Sequence, residues 1–162
     1  MIRWRDGEVR EAHPVAGGVT EIVATTADGE VSALAYDALV GVAETGDRVL
    51  LNVTALELGL GTGGYALVVA IPDRLPRDVG VSGHIIKARY TPLQATVLAA
   101  DEQDSPHHAV LRDADSIDGM PVVVADLHSA LTPIVAGLRG ERPDARVVYV
   151  MSDGGALPLW FS

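Results

Sequence analysis

The chain has 162 residues, 48 % of them hydrophobic, with 12 Lys plus Arg against 22 Asp plus Glu and a net charge of −10. That content can bury a sizeable core in one domain or two small ones. The negative charge argues against gripping nucleic acid through its phosphates, disfavours anionic membrane surfaces, and comes with no cysteine, so disulfide and thiolate chemistry are excluded.

The chain begins Met1-Ile2-Arg3-Trp4-Arg5-Asp6, with no apolar stretch behind the basic residues, and so does not read as a signal peptide. Its longest apolar runs, such as Tyr65 to Ile71, fall far short of the roughly 20 residues that a membrane-spanning helix needs. A cytoplasmic location is the resulting expectation.

From the N-terminus, Val9 to His13, Val19 to Thr26, Val31 to Tyr36, Arg48 to Leu56 and Tyr65 to Ile71 are short runs rich in Val, Ile, Thr or Leu, separated by turn-formers. Such runs predict strands. Asp28-Gly29 marks a hairpin between two of them and Gly46-Asp47 opens a third. Five strands at this spacing predict a small antiparallel β-barrel of the OB or SH3-like kind over residues 1–72. The Gly59-x-Gly61-x-Gly63-Gly64 stretch lacks a P-loop lysine and runs into a strand rather than a helix, so it reads as a hairpin loop and not a phosphate cradle.

A linker with Pro76, Gly80 and Gly83 spans residues 73–83, and the pattern changes beyond it. His84 to Ala88 predicts a strand, Thr91-Pro92 a helix start, and Leu93 to Ala100 a short helix. The polar stretch Asp101 to His108 holds metal-ligating atom types, but Pro106 and the divergence of adjacent histidines favour a solvated acidic loop. A surface helix is predicted around Ala109 to Asp113. Strands are then expected at Val122 to Ala125 and Arg146 to Met151, joined by a helix starting at Thr132-Pro133. The unit over 84–162 therefore reads as α/β, Rossmann-like, with parallel strands but too few of them for a complete three-layer fold. The whole is an α+β protein in two parts.

The candidate chemistry lies where parallel strands end, because ligands of open α/β sheets bind at their carboxyl edge. His128 is the candidate acid or base, with Asp126 and Asp153 as orienting or metal-binding carboxylates. Asp126 and His128 are two apart and would share one side of an extended loop. Ser129, Ser152, Gly154 and Gly155 would add hydroxyls and exposed amides, and Lys87 and Arg89 positive charge for an anion. The bland alternative makes Asp126 the cap of the following turn and His128 a structural residue. The residues name no reaction, cofactor or resident metal. A small-molecule site, binding or catalytic, is the leading expectation, and a non-catalytic interaction protein that uses the barrel is the alternative.

Gly46-Asp47-Arg48-Val49-Leu50-Leu51-Asn52, Leu58 to Tyr65, His84-Ile85-Ile86-Lys87-Ala88-Arg89-Tyr90-Thr91-Pro92-Leu93-Gln94 and Met151 to Pro158 together resemble the actinobacterial family catalogued as domain of unknown function 3866. The resemblance extends over essentially the whole chain and brings no activity and no catalytic residues with it. It implies much longer members with a further glycine-rich α/β portion, so this chain would correspond to their N-terminal part. Either that continuation or a second copy of the chain is then expected to cover the apolar run Ala156 to Phe161.

Overall fold

A computed structural model of the chain describes residues 1–78, 80 and 82–150. Its contacts divide into two compact units, Met1–Pro76 with the residues from Ala125 onward, and Arg77–Val124.

In the first unit, five strands close a barrel: β1 (Trp4–Val15), β2 (Val19–Thr26), β3 (Gly29–Tyr36), β4 (Arg48–Asn52) and β5 (Ala66–Ala70), in the order β1-β2-β3-β5-β4. β1 is long enough to pair antiparallel with both β2 and β4. The barrel is not wholly antiparallel as expected, because β3 and β5 run parallel through the pairs Ala33 with Ala66 and Leu34 with Leu67. Of the two barrel kinds left open by the sequence, this connectivity is that of the OB type. Closure leaves no free sheet edge within the barrel.

Alternation along the strands sends Val9, Ile22, Ala24, Ala33, Ala35, Val49, Leu51, Ala66 and Val68 inward, and Val40, Ala43, Val53 and Ile71 join this core from the connections. Interleaving alanines with branched residues fills the narrow interior without an aromatic side chain. Each fully buried Leu, Ile or Val contributes about 1.5–3 kcal/mol.

Gly7 sits where β1 turns from β4 to β2. A Cβ there would lie 3.2–3.3 Å from Thr25 O, Ala24 Cβ and Thr26 Cγ2, so the approach of β2 leaves little room for a side chain. A bulge between Val9 and Glu11 completes the bend.

Between strands lie two single-turn helices, α1 (Asp37–Val40) and α2 (Thr54–Glu57). The strand expected through Leu56 stops at Asn52 because Asn52 Oδ1 accepts the Thr54 N–H and Thr54 Oγ1 accepts the Arg3 N–H, turning the chain. The start of the expected linker is pinned to the barrel: the Arg48 guanidinium holds Asp73, and Arg74 donates to Val42 O and to Asp47.

In the second unit, β6 (Ile85–Lys87) and β7 (Ala95–Val97) form an antiparallel hairpin, followed by α3 (His108–Asp113). The helix expected over Leu93 to Ala100 is absent. Thr91 does not cap a helix: its hydroxyl donates to Ala88 O and accepts the Leu93 N–H, closing a turn that returns Ala95-Thr96-Val97 against Ile85-Ile86-Lys87.

After a 3₁₀ turn at His128–Ala130 comes α4 (Leu131–Glu141), which half-buries Leu131, Ile134 and Val135 at helical spacing. The parallel strands expected at Val122 to Ala125 and over the described part of Arg146 to Met151 are not formed; neither run has a ladder partner among the described residues. Apolar sequence favours a strand only where a neighbour supplies hydrogen bonds and a covered face. β6, the third expected parallel strand, is antiparallel. Among the described residues no helix is long and apolar enough to cross a membrane.

Candidate functional site

Leu127 is extended (φ −122°, ψ 131°) and the chain then coils, with Ala130 N–H donating to Leu127 O and α4 following directly. This local coiling sets the imidazole of His128 at the head of α4. Twenty-one residues further on, past the helix, Tyr149 returns to it. His128 Nδ1 and Tyr149 Oη share a hydrogen bond of 2.8 Å, with ring centroids 5.7 Å apart and planes tilted by 48°. A fixed Nδ1 orients the ring and leaves Nε2 for proton exchange or for a ligand hydrogen bond.

The chain coils at His128, so the same-side argument for residues two apart does not apply, and no hydrogen bond or ion pair joins Asp126 to His128 among the described residues. Among the described residues the side-chain partner of the imidazole is the Tyr149 phenol. Ser129 lies exposed within the 3₁₀ turn. Ser152, Asp153, Gly154 and Gly155 lie outside the described residues, as does the run Ala156 to Phe161.

Lys87 and Arg89 belong to the Arg77–Val124 unit. Lys87 ends β6, and Arg89 stands in the hairpin turn between Ala88 (φ 48°) and Tyr90 (φ 64°). Left-handed conformations at two non-glycine residues are costly and turn the intervening side chain outward. Both cations are exposed and make no ion pair among the described residues.

The same unit contains a dyad that sequence reasoning passed over. Glu102 Oε1 accepts the backbone N–H of His84 at 2.7 Å and lies 2.9 Å from His84 Nδ1, while Oε2 accepts the Ala99 N–H at 2.8 Å. The Ala99 N–H foremost, and then His84 against a desolvation penalty, hold the Glu102 carboxyl below the usual range. The contact depends on Gly83 (φ +109°), whose missing Cβ would fall 2.6 Å from Leu98 Cα and Val97 O. Only that glycine, in an unremarkable His-Ile-Ile context, could have signalled so close an approach. His108 Nδ1 donates to Asp101 O at 2.7 Å. Among the described residues no group of three or more His, Asp or Glu is placed to hold a metal ion.

The barrel carries an open depression of about 370 Å³ where β1 bends, lined among others by Asp6, Glu8, Arg10, Thr25 and Arg48. Its arginines are already engaged: Arg10 donates to Glu8 and Thr25, and Arg48 to Asp73. The glycine-rich stretch 59–64 is a loop leading into β5, with Tyr65 donating to Glu21 at 2.7 Å.

Compared with known families, residues 32–162 match the one described as "Protein of unknown function (DUF3866)". The chain belongs to that family. The match starts inside β3, so β1 and β2 precede it, and the family description carries no ligand or reaction onto His128 or Glu102. No curated protein and no solved structure matches the chain.

Proposed function

We propose that the chain provides a small-molecule site around His128, with His128 as acid-base or ligand-binding group. The observation that carries this is the hydrogen bond between His128 and Tyr149. It joins the turn that carries Asp126 to Ser129 to Tyr149, in the sequence run that leads to Ser152-Asp153-Gly154-Gly155. Asp153, four residues beyond Tyr149 in the sequence, is the carboxylate of this proposal, with Gly154 and Gly155 as its candidate anion-binding amides. The proposed site does not use Lys87 or Arg89. The three-layer Rossmann-like reading of the later chain belongs with this proposal, as the form its valine-rich runs take when a sheet pairs them.

The test is a ligand screen by NMR over neutral and anionic metabolites, repeated on variants. His128→Ala and Asp153→Asn are expected to abolish binding of any hit, while Tyr149→Phe, losing one hydrogen bond of about 1 kcal/mol, should weaken it several-fold. Hits that bind all three variants unchanged would remove the site. A second reading, an interaction protein using its barrel, is favoured by the depression at Gly7 and Arg10; a hit that shifts resonances of Thr25 and Arg48 and ignores His128 would select it.

A further inference from the structure

An aspartate followed by glycine can react with its own backbone: the glycine nitrogen, with no Cβ beside it, reaches the side-chain carboxyl carbon. The sequence holds four such pairs, Asp6-Gly7, Asp28-Gly29, Asp118-Gly119 and Asp153-Gly154, and the first three lie among the described residues.

Two of the three are locked. Gly7 is buried and paired with both Thr26 and Val49, so its peptide cannot rotate toward the Asp6 carboxyl without parting β1 from β2 and β4. Asp28 donates its N–H to Thr26 Oγ1, that hydroxyl donates to Gly29 O, and Arg5 holds the Asp28 carboxylate. Asp118-Gly119 stands in the opposite condition. Ile117 to Met120 form a turn of the I′ kind, with φ 52° at Asp118 and 72° at Gly119 and the Met120 N–H donating to Ile117 O at 2.9 Å. Ser116 Oγ accepts the Asp118 N–H. The Asp118 carboxylate and the Gly119 N–H, the two groups that would react, make no hydrogen bond or ion pair among the described residues. Both residues are exposed, and nothing lies within 4 Å of where a Gly119 Cβ would stand. The Val122 to Val124 run that follows has no ladder partner among the described residues to resist a change in the turn.

We propose that Asp118-Gly119 is a site of spontaneous isoaspartate formation, the one of the three described pairs that folding leaves reactive. The Gly119 nitrogen bonds to Asp118 Cγ and gives up its proton, the Cγ–OH bond of the carboxyl breaks, and one water leaves, closing a five-membered succinimide. Water then adds to a ring carbonyl and splits one of the two bonds to nitrogen. Splitting the bond from the former backbone carbonyl leaves the chain running through Cβ and Cγ, with no net change of mass. The main chain is then one atom longer and carries a free carboxylate on Cα, so the Ile117–Met120 hydrogen bond is lost with the turn that made it.

Ageing the full chain for weeks at neutral pH, followed by proteolysis and electron-transfer fragmentation to tell the two linkages apart, tests this. Isoaspartate is expected to accumulate at Asp118 roughly tenfold or more faster than at Asp6 or Asp28, which must first give up pairing that Asp118 does not have. In denaturant the three rates should converge. Gly119→Ala sets a methyl beside the attacking nitrogen at an exposed position, and should slow the reaction at Asp118 roughly tenfold while leaving Asp6 and Asp28 unchanged. Three results would overturn the proposal: equal accumulation at the three sites in the folded chain, accumulation at Asp118 only in denaturant, or a rate at Asp118 indifferent to Gly119→Ala.

Discussion

The barrel and the chain beyond it are built from equally apolar sequence and end in opposite states. Every buried hydrophobic side chain among the described residues lies between Val9 and Ile71, while among the described residues from Arg77 onward the single buried one is Ser105. Val122, Val123 and Val124 are as hydrophobic as the Val49-Leu50-Leu51 of β4, yet are 64 %, 67 % and 90 % exposed. What separates them is closure. In the barrel each strand has two neighbours and one covered face, so alternation converts directly into burial. The later runs have the residues without the neighbours, and apolar content alone does not make a core.

The sharpest way to break this comparison is to truncate one residue on each side of it. Leu51→Ala empties a fully buried position in the barrel and should cost about 2–5 kcal/mol, a large part of the roughly 5–15 kcal/mol that holds a domain folded. Val124→Ala, at a site 90 % exposed, should stay within about 0.5 kcal/mol. Denaturant titrations of both variants check the pair; a cost at Val124 rivalling that at Leu51 would mean that the valine run is covered.

What could be read in advance follows the same division. The barrel strands were legible because their alternation is local and their turns carry Asp28-Gly29 and Gly46-Asp47 signals. The first turns of β1 were not, since Trp4-Arg5-Asp6-Gly7-Glu8 is charged and glycine-containing and becomes a strand through pairing with β4. α4 was legible from Thr132-Pro133. β7 was misread because Thr91-Pro92 resembles a helix start, whereas the decisive contact, Ala95-Thr96-Val97 against Ile85-Ile86-Lys87, is tertiary. Within the candidate site His128 stood out by its polar cluster. Its partner did not: Tyr149 lies in an apolar run and reaches His128 only through the path of α4.

Glycines offer a smaller contrast between the two units. Gly83→Ala would force a Cβ to 2.6 Å from backbone atoms at φ +109°, a strain of order 1–3 kcal/mol that should open the β6–β7 hairpin. Gly7→Ala meets only 3.2–3.3 Å contacts, with no positive φ, and should cost less, about 1 kcal/mol, and in the barrel instead. Hydrogen exchange of Ile86 and Thr96 against Ile22 and Ala24 resolves the two. Loss of protection spread equally over both sets by either variant would show the units to unfold as one.

The finest expected difference is in acid. Glu102 is held below the usual carboxylate range by the Ala99 N–H first and His84 after it, so the folded hairpin binds its proton less readily than the unfolded chain does. A depressed folded value contributes stability that is fully present above the ordinary glutamate range and is lost as pH falls through that value. The β6–β7 hairpin should therefore loosen on acidification, below the range in which a free glutamate titrates; in the barrel unit Asp73 is lowered in the same direction by Arg48, but that pair is exposed at the surface and its loss should leave core amides such as those of Ile22 and Ala24 protected. Glu102→Gln should flatten the hairpin's acid response. His84→Ala should leave most of it, because the Ala99 N–H is the leading cause and remains. Opening free energies of Ile86 and Thr96 amides, followed from neutral to acidic pH in the three proteins, decide it. An acid response that survives Glu102→Gln at full size would assign the loosening to another carboxylate, and one abolished by His84→Ala would reverse the order of the two causes.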